Sequence, residues 1–228
     1  MRPLLVLLVG VIASSTASIF IRSAQSDASS IVIAAYRVAI ATILLSPVVY
    51  VRQRRVLIGM GSKQWILALA AGLFLGLHFL TWVTSLEYTT VASSTVLVSS
   101  LPIFVALLSP LFLNEKPAPV LYVGMILAII GGAIMALSDT CVITGIQFSC
   151  PSWQSFSQDS ALYGNGLAVL GAITGAGYFM IGKHMRVSLP LLTYVFVVYG
   201  MAALVMLVIV VMTGLPIGGY GKETYMWF

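Results

Sequence analysis

Seven runs of about twenty mostly apolar residues, separated by polar loops, set the terms on which this chain can fold. They lie near 3–21, 31–51, 65–86, 91–113, 119–137, 162–182 and 191–213. A run of that length matches the hydrocarbon core of a bilayer, where a helix satisfies its backbone N–H and C=O groups internally. Composition agrees: 60% of the 228 residues are apolar and 7% are charged, against about 25% charged in a soluble domain. The expected fold class is all-α, a polytopic membrane helix bundle.

The formal charge of +5 does not point to nucleic acid, because the basic residues fall in loops between apolar spans and form no stripe on a soluble face. They report topology instead. With the N-terminus in the cytoplasm, Arg2, Arg52, Arg54, Arg55, Lys63, Lys116, Lys183 and Arg186 share the cytoplasmic side. Arg22 and Lys222 fall on the other side, and Arg37 lies inside a span. Short loops rich in Lys and Arg stay cytoplasmic, so the expected placement is multi-pass in a cell membrane, plasma or inner, with the N-terminus inside. The first run has an alternative reading: Arg2, an apolar stretch, then Ala13, Ser14, Ser15 and Ala17 also resemble a secretory signal peptide.

Cys141 and Cys150 are the two cysteines, and both fall in the longest loop, 138–161. This topology puts that loop outside, where the pair can form a disulfide or remain free thiols. No metal-ligand set and no cofactor motif accompanies them.

A shift of 161 residues matches Gly10, Ile12 and Arg22 of the first run with Gly171, Ile173 and Lys183 of the sixth. With a two-residue gap, Tyr36 and Ala39 meet Tyr199 and Ala202. The implied unit has five spans, and an odd number makes the second copy enter the membrane from the opposite side. Inverted repeats place a binding site near the midplane where the halves meet. The expected organisation is a first repeat at 1–137, an external loop at 138–161 and the start of a second repeat at 162–228. Ten spans would complete it, and an eighth apolar segment begins at Tyr225–Phe228, so the chain reads as a fragment.

The stretch His78 to Pro117 carries a more specific signal. It holds a Tyr-Thr pair and small residues opening the fourth run, Pro102 at its centre, and the turn Glu115, Lys116, Pro117, followed by Gly124, Gly131 and Gly132 in the fifth. It closely resembles the EamA domain of the drug/metabolite transporter superfamily. The resemblance implies a ten-helix fold with inverted halves, alternating access, and export of metabolites or uptake of small solutes.

Several side chains are candidates for substrate contact. At 1.5 Å of rise per residue, Arg37 lies about 9 Å from the outer surface, Ser99 and His78 about 12 Å and Trp82 about 6 Å, so the four share a layer. Arg37 can bind a carboxylate or phosphate, or else snorkel or bond backbone carbonyls. His78 and Trp82, four apart, share a helix face. The alternatives are a histidine bonded between helices and a tryptophan of the interfacial belt. Pro102 frees a carbonyl at midspan, and Ser99 lies beside it. Tyr178, Tyr199 and Tyr36 are the aromatic candidates of the two halves, with Tyr36 and Tyr199 expected to face one another. Glu115, pairing with Lys116 or with Arg54 and Arg55, is a structural or gating candidate.

These residues favour a transporter of small metabolites, amino-acid-like or amphipathic, working as an exporter by alternating access. The expected partners are that solute and the bilayer, with a homodimer possible in principle. An intramembrane enzyme is disfavoured: His78 and His184 stand apart, Asp27, Asp139 and Asp159 lie in loops, and no H-E-x-x-H occurs. A non-transporting membrane subunit is the alternative.

Overall fold

Apolar length fixes where helices run, and capping groups fix where they stop. A computed structural model describes residues 2–138, 141–144, 147–149 and 160–228. Its helices are α1 (Arg2–Ala24), α2 (Ser30–Ile58), α3 (Ser62–Tyr88), α4 (Val91–Val98), α5 (Leu101–Phe112) and α6 (Pro119–Ser138), then α7 (Ser160–Met185), α8 (Leu191–Thr213) and α9 (Lys222–Trp227). Between α6 and α7 the strands β1 (Val142–Thr144) and β2 (Gln147–Ser149) pair antiparallel, Ile143 opposite Phe148. This hairpin lies in a stretch expected to be plain loop.

Helices α2, α3, the α4–α5 pair, α6, α7 and α8 are long and apolar enough to cross a membrane. To these α1 adds 23 helical residues, apolar from Leu8 to Ala24. The Ser29 side chain accepts from the Ile31 N–H to start α2, and Thr90 accepts from the Ser93 N–H to start α4. Gly214, in the left-handed region at φ 66°, ends α8 two residues before Pro216. Two helices outrun their apolar segments. α2 continues to Ile58, so Arg52, Arg54 and Arg55 ride on a helix, kinked at Gln53 (φ −134°). α3 runs through Glu87 to Tyr88.

The fourth run, expected as one span at 91–113, is broken at Pro102. α4 ends at Val98, Ser99 and Ser100 form the junction, and α5 starts at Leu101 with Pro102 in its first turn. Pro102 has no N–H to give the Val98 carbonyl.

α3 is the central post. It packs along α7 most extensively, then α8, and also touches α2, α1 and α4, while α2 pairs with α8. Ala68, Ala71, Leu75, Val83 and Leu86 of α3 are buried with Val38 of α2 and Val198, Ala202 and Met206 of α8. Far out on the margin, α6 buries only Gly132 and exposes Val120, Val123, Leu127 and Ile134. That apolar exterior suits a helix whose solvent is lipid. The bundle has a basic end, formed by 52–63, 113–118 and 183–190, and an opposite end, formed by 25–29, 88–90 and 214–228.

Candidate substrate site

The α4–α5 break opens space beside α3. Ser15 of α1, His78 and Trp82 of α3, Thr95 and Val98 of α4 and Ser99 at the junction line a cavity of about 210 Å³. Several other hydroxyls of the fourth span join helices, while Ser100 and Ser109 donate to the Leu97 and Val105 carbonyls of their own segment. Ser18 and Thr95 share a hydrogen bond at 3.0 Å, Ser85 and Ser94 one at 2.6 Å, and Ser93 donates to the Met135 carbonyl at 3.3 Å. Ser99 lines the cavity together with Thr95.

His78 is held from the far side. Its Nδ1 lies 2.8 Å from the Gly171 carbonyl of α7. A carbonyl only accepts, so Nδ1 carries a proton, and in the neutral ring Nε2 then carries the lone pair. α7 comes this close because Gly175 lacks a side chain: a Cβ there would meet Leu101 and stand 2.8 Å from His78 Nδ1. Trp82 stacks on His78 at 5.9 Å and 30°, and Phe79 meets His78 edge-on at 5.3 Å. The indole Nε1 of Trp82 is buried with no hydrogen-bond partner among the described residues.

Arg37 and Tyr199 form a neighbouring group outside the cavity lining. Tyr199 meets Phe79 edge-on at 6.4 Å, and Arg37 interacts electrostatically with Tyr199. Arg37 is half-buried, and its Nε is buried without a hydrogen-bond partner among the described residues.

The structure does not bring Tyr36 and Tyr178 to this site. Tyr36 stacks on Phe228 at 4.5 Å and donates to the Ile217 carbonyl at 2.7 Å. It is paired with that C-terminal ring and not with Tyr199, because the segment 214–228 folds back over α2. Tyr178 stacks on Tyr194 at 6.0 Å toward the basic end.

Glu115 pairs with Lys183 of α7, not with Lys116, Arg54 or Arg55. Adjacent Lys116 is exposed, and the partner instead comes from a helix 68 residues away. Cys141 is disulfide-bonded, and Cys150, the other cysteine of the sequence, lies outside the described residues. Among the described residues no group of three or more His, Cys, Asp or Glu side chains comes together.

One polar cluster escaped the sequence reading. At the opposite end Asp27 accepts from the Gly221 N–H at 2.8 Å and the Thr224 hydroxyl at 2.7 Å. The Thr224 bond, then the Gly221 bond, holds the Asp27 carboxyl below its ordinary range. Nearby, Arg22 donates to the Leu86 carbonyl, Gln25 donates to the Val83 carbonyl at 2.8 Å, and the Ser30 N–H donates to Glu87 at 3.3 Å. The density of polar residues around 22–30 and 83–89 was the available signal, but partners up to 197 positions apart cannot be paired from one sequence.

A bundle of helices long and apolar enough to cross a membrane defines a multi-pass helical membrane protein. The model of the EamA-like transporter family matches residues 1–137, more than half of the chain, and the chain belongs to that family. It is a membrane transporter of the drug/metabolite type. No curated protein and no solved structure matches it.

Proposed function

We propose that the chain exports a small, net-neutral metabolite, amino-acid-like or amphipathic, by alternating access, with the His78–Trp82–Ser99 cavity as its binding site. The observation that carries this reading is the cavity that joins His78, Trp82 and Ser99. The Trp82 N–H is buried without a partner among the described residues, at a cost of about 1–3 kcal/mol, which an acceptor on a solute that reached it would recover. Beside it, His78 Nε2 offers an acceptor and Ser99 a hydroxyl, while the indole face suits an apolar body. Among the described residues no formally charged side chain lines the cavity, which favours a solute without net charge.

Movement requires each end to open in turn. Two contacts are suited to act as closures, Glu115–Lys183 at the basic end and Asp27 with Gly221 and Thr224 at the other. The distribution of Lys and Arg supports a cytoplasmic basic end, and the match between the first and sixth spans supports an inverted second unit from 162.

The test is flux of labelled neutral amino acids and amphipathic solutes through proteoliposomes. Trp82→Phe keeps a ring and removes the donor, and is expected to weaken apparent affinity about ten-fold. His78→Ala is expected to abolish flux. Unchanged flux in both variants contradicts the assignment of the site, and an inserted wild-type chain that moves none of the panel favours a non-transporting subunit.

A further inference from the structure

At the basic end a second cavity, of about 400 Å³, opens between the last turns of α7 and the first turn of α8. Its polar wall is made by Lys183, Arg186 and the phenols of Tyr178 and Tyr194. Its apolar wall is made by Phe179, Val187 and Leu191, residues that stand 55%, 88% and 54% exposed. Among the described residues Glu115–Lys183 is the one salt bridge, so Arg186 has no carboxylate partner there, although it acts electrostatically on both phenols. The stacked phenols hold one edge of the cavity rigid. Gly182 permits this, since a Cβ there would stand 2.9 Å from Tyr194 Cζ.

Cations and hydroxyls at a helix end, continuous with exposed apolar side chains on the same helices, match a ligand that is anionic at one end and hydrocarbon at the other. We propose that this cavity seats the phosphate of one anionic phospholipid from the leaflet at the basic end. The phosphate lies against Arg186, with Lys183, shared with Glu115, at its edge, and an acyl chain follows Phe179, Val187 and Leu191. A soluble phosphate would gain the cations and nothing from the apolar wall, so the lipid is the favoured source. The inference uses the membrane placement of the chain and does not depend on which solute is carried.

Native mass spectrometry of the full chain in micelles with equal amounts of phosphatidylglycerol and phosphatidylcholine tests it. The wild type is expected to retain one phosphatidylglycerol, and Arg186→Gln to lower that retention about ten-fold, with Arg186→Lys retaining most of it. Inorganic phosphate in millimolar excess is expected not to displace the lipid. Should Arg186→Gln lower the melting temperature, Val187→Glu sets a carboxylate on the same wall at an exposed position and is expected to lose retention while folding normally. Equal retention of both lipids by the wild type, undiminished retention in both Arg186→Gln and Val187→Glu, or displacement by inorganic phosphate overturns the proposal.

Discussion

Two of the candidate residues bury a donor that has no partner among the described residues. Arg37 Nε and Trp82 Nε1 both lie inside the bundle unpaired among the described residues, and such groups lower stability where they serve no ligand. Arg37→Met is therefore expected to raise stability by about 1 kcal/mol, because a buried cation gives way to a side chain that packs, while flux falls. A thermal melt beside a flux assay reads both, and a destabilised Arg37→Met with full flux would show the guanidinium to be purely structural. Gly175→Ala acts in the other direction. Its Cβ would press on Leu101 and His78, and overpacking of that kind costs about 1–3 kcal/mol; an unchanged melting temperature would mean that α7 shifts away freely. Of the candidate residues, His78, Trp82 and Ser99 were legible together, since helical spacing and the proline break already put them at one depth. Tyr36 and Tyr178 were not, because a ring's direction around a membrane helix depends on neighbours that an apolar periodicity cannot resolve where lipid and protein faces are equally apolar.

At the scale of elements, spans were readable and their ends were not. The seven apolar runs became helices nearly where expected, yet α2 outran its apolar segment as far as Ile58, with Arg52, Arg54 and Arg55 on its last turns. The pairing between ends is tertiary: Glu115 chose Lys183 of α7, and Asp27 chose the first turn of α9. Glu115→Gln removes an exposed pair and is expected to change stability by less than about 1 kcal/mol. Its flux rate is expected to change if that pair closes the basic end, and an unchanged rate assigns the pair no gating role. The Asp27 contact has a defined pH response. Because the carboxyl is held below its ordinary value of 3.8, its stabilising effect is complete above that value and is lost as pH falls further, through the lowered one. Flux between roughly pH 5 and 8 is thus expected not to titrate through Asp27, and wild type and Asp27→Asn should share the same pH profile there; a mid-acid inflection lost in Asp27→Asn contradicts this.

For the whole molecule, three spans contribute to the cavity wall, α1 with Ser15, α3 with His78 and Trp82 and the broken fourth span with Thr95, Val98 and Ser99, while α7 fixes the imidazole from behind. The family and the helical class were legible from residues 78–117 and from apolar length. The C-terminal fold-back that occupies Tyr36, and the hairpin between α6 and α7, depend on contacts that composition does not encode. If the cavity is where solute binds, Ser99→Cys places a thiol on its wall, with Cys141 already engaged in a disulfide. The decisive measurement is the rate at which a small maleimide alkylates Ser99→Cys in proteoliposomes, with and without a solute shown to be transported. The account predicts that the transported solute slows alkylation in proportion to its occupancy while a non-transported analogue of similar size does not; an alkylation rate indifferent to saturating transported solute would place the binding site elsewhere.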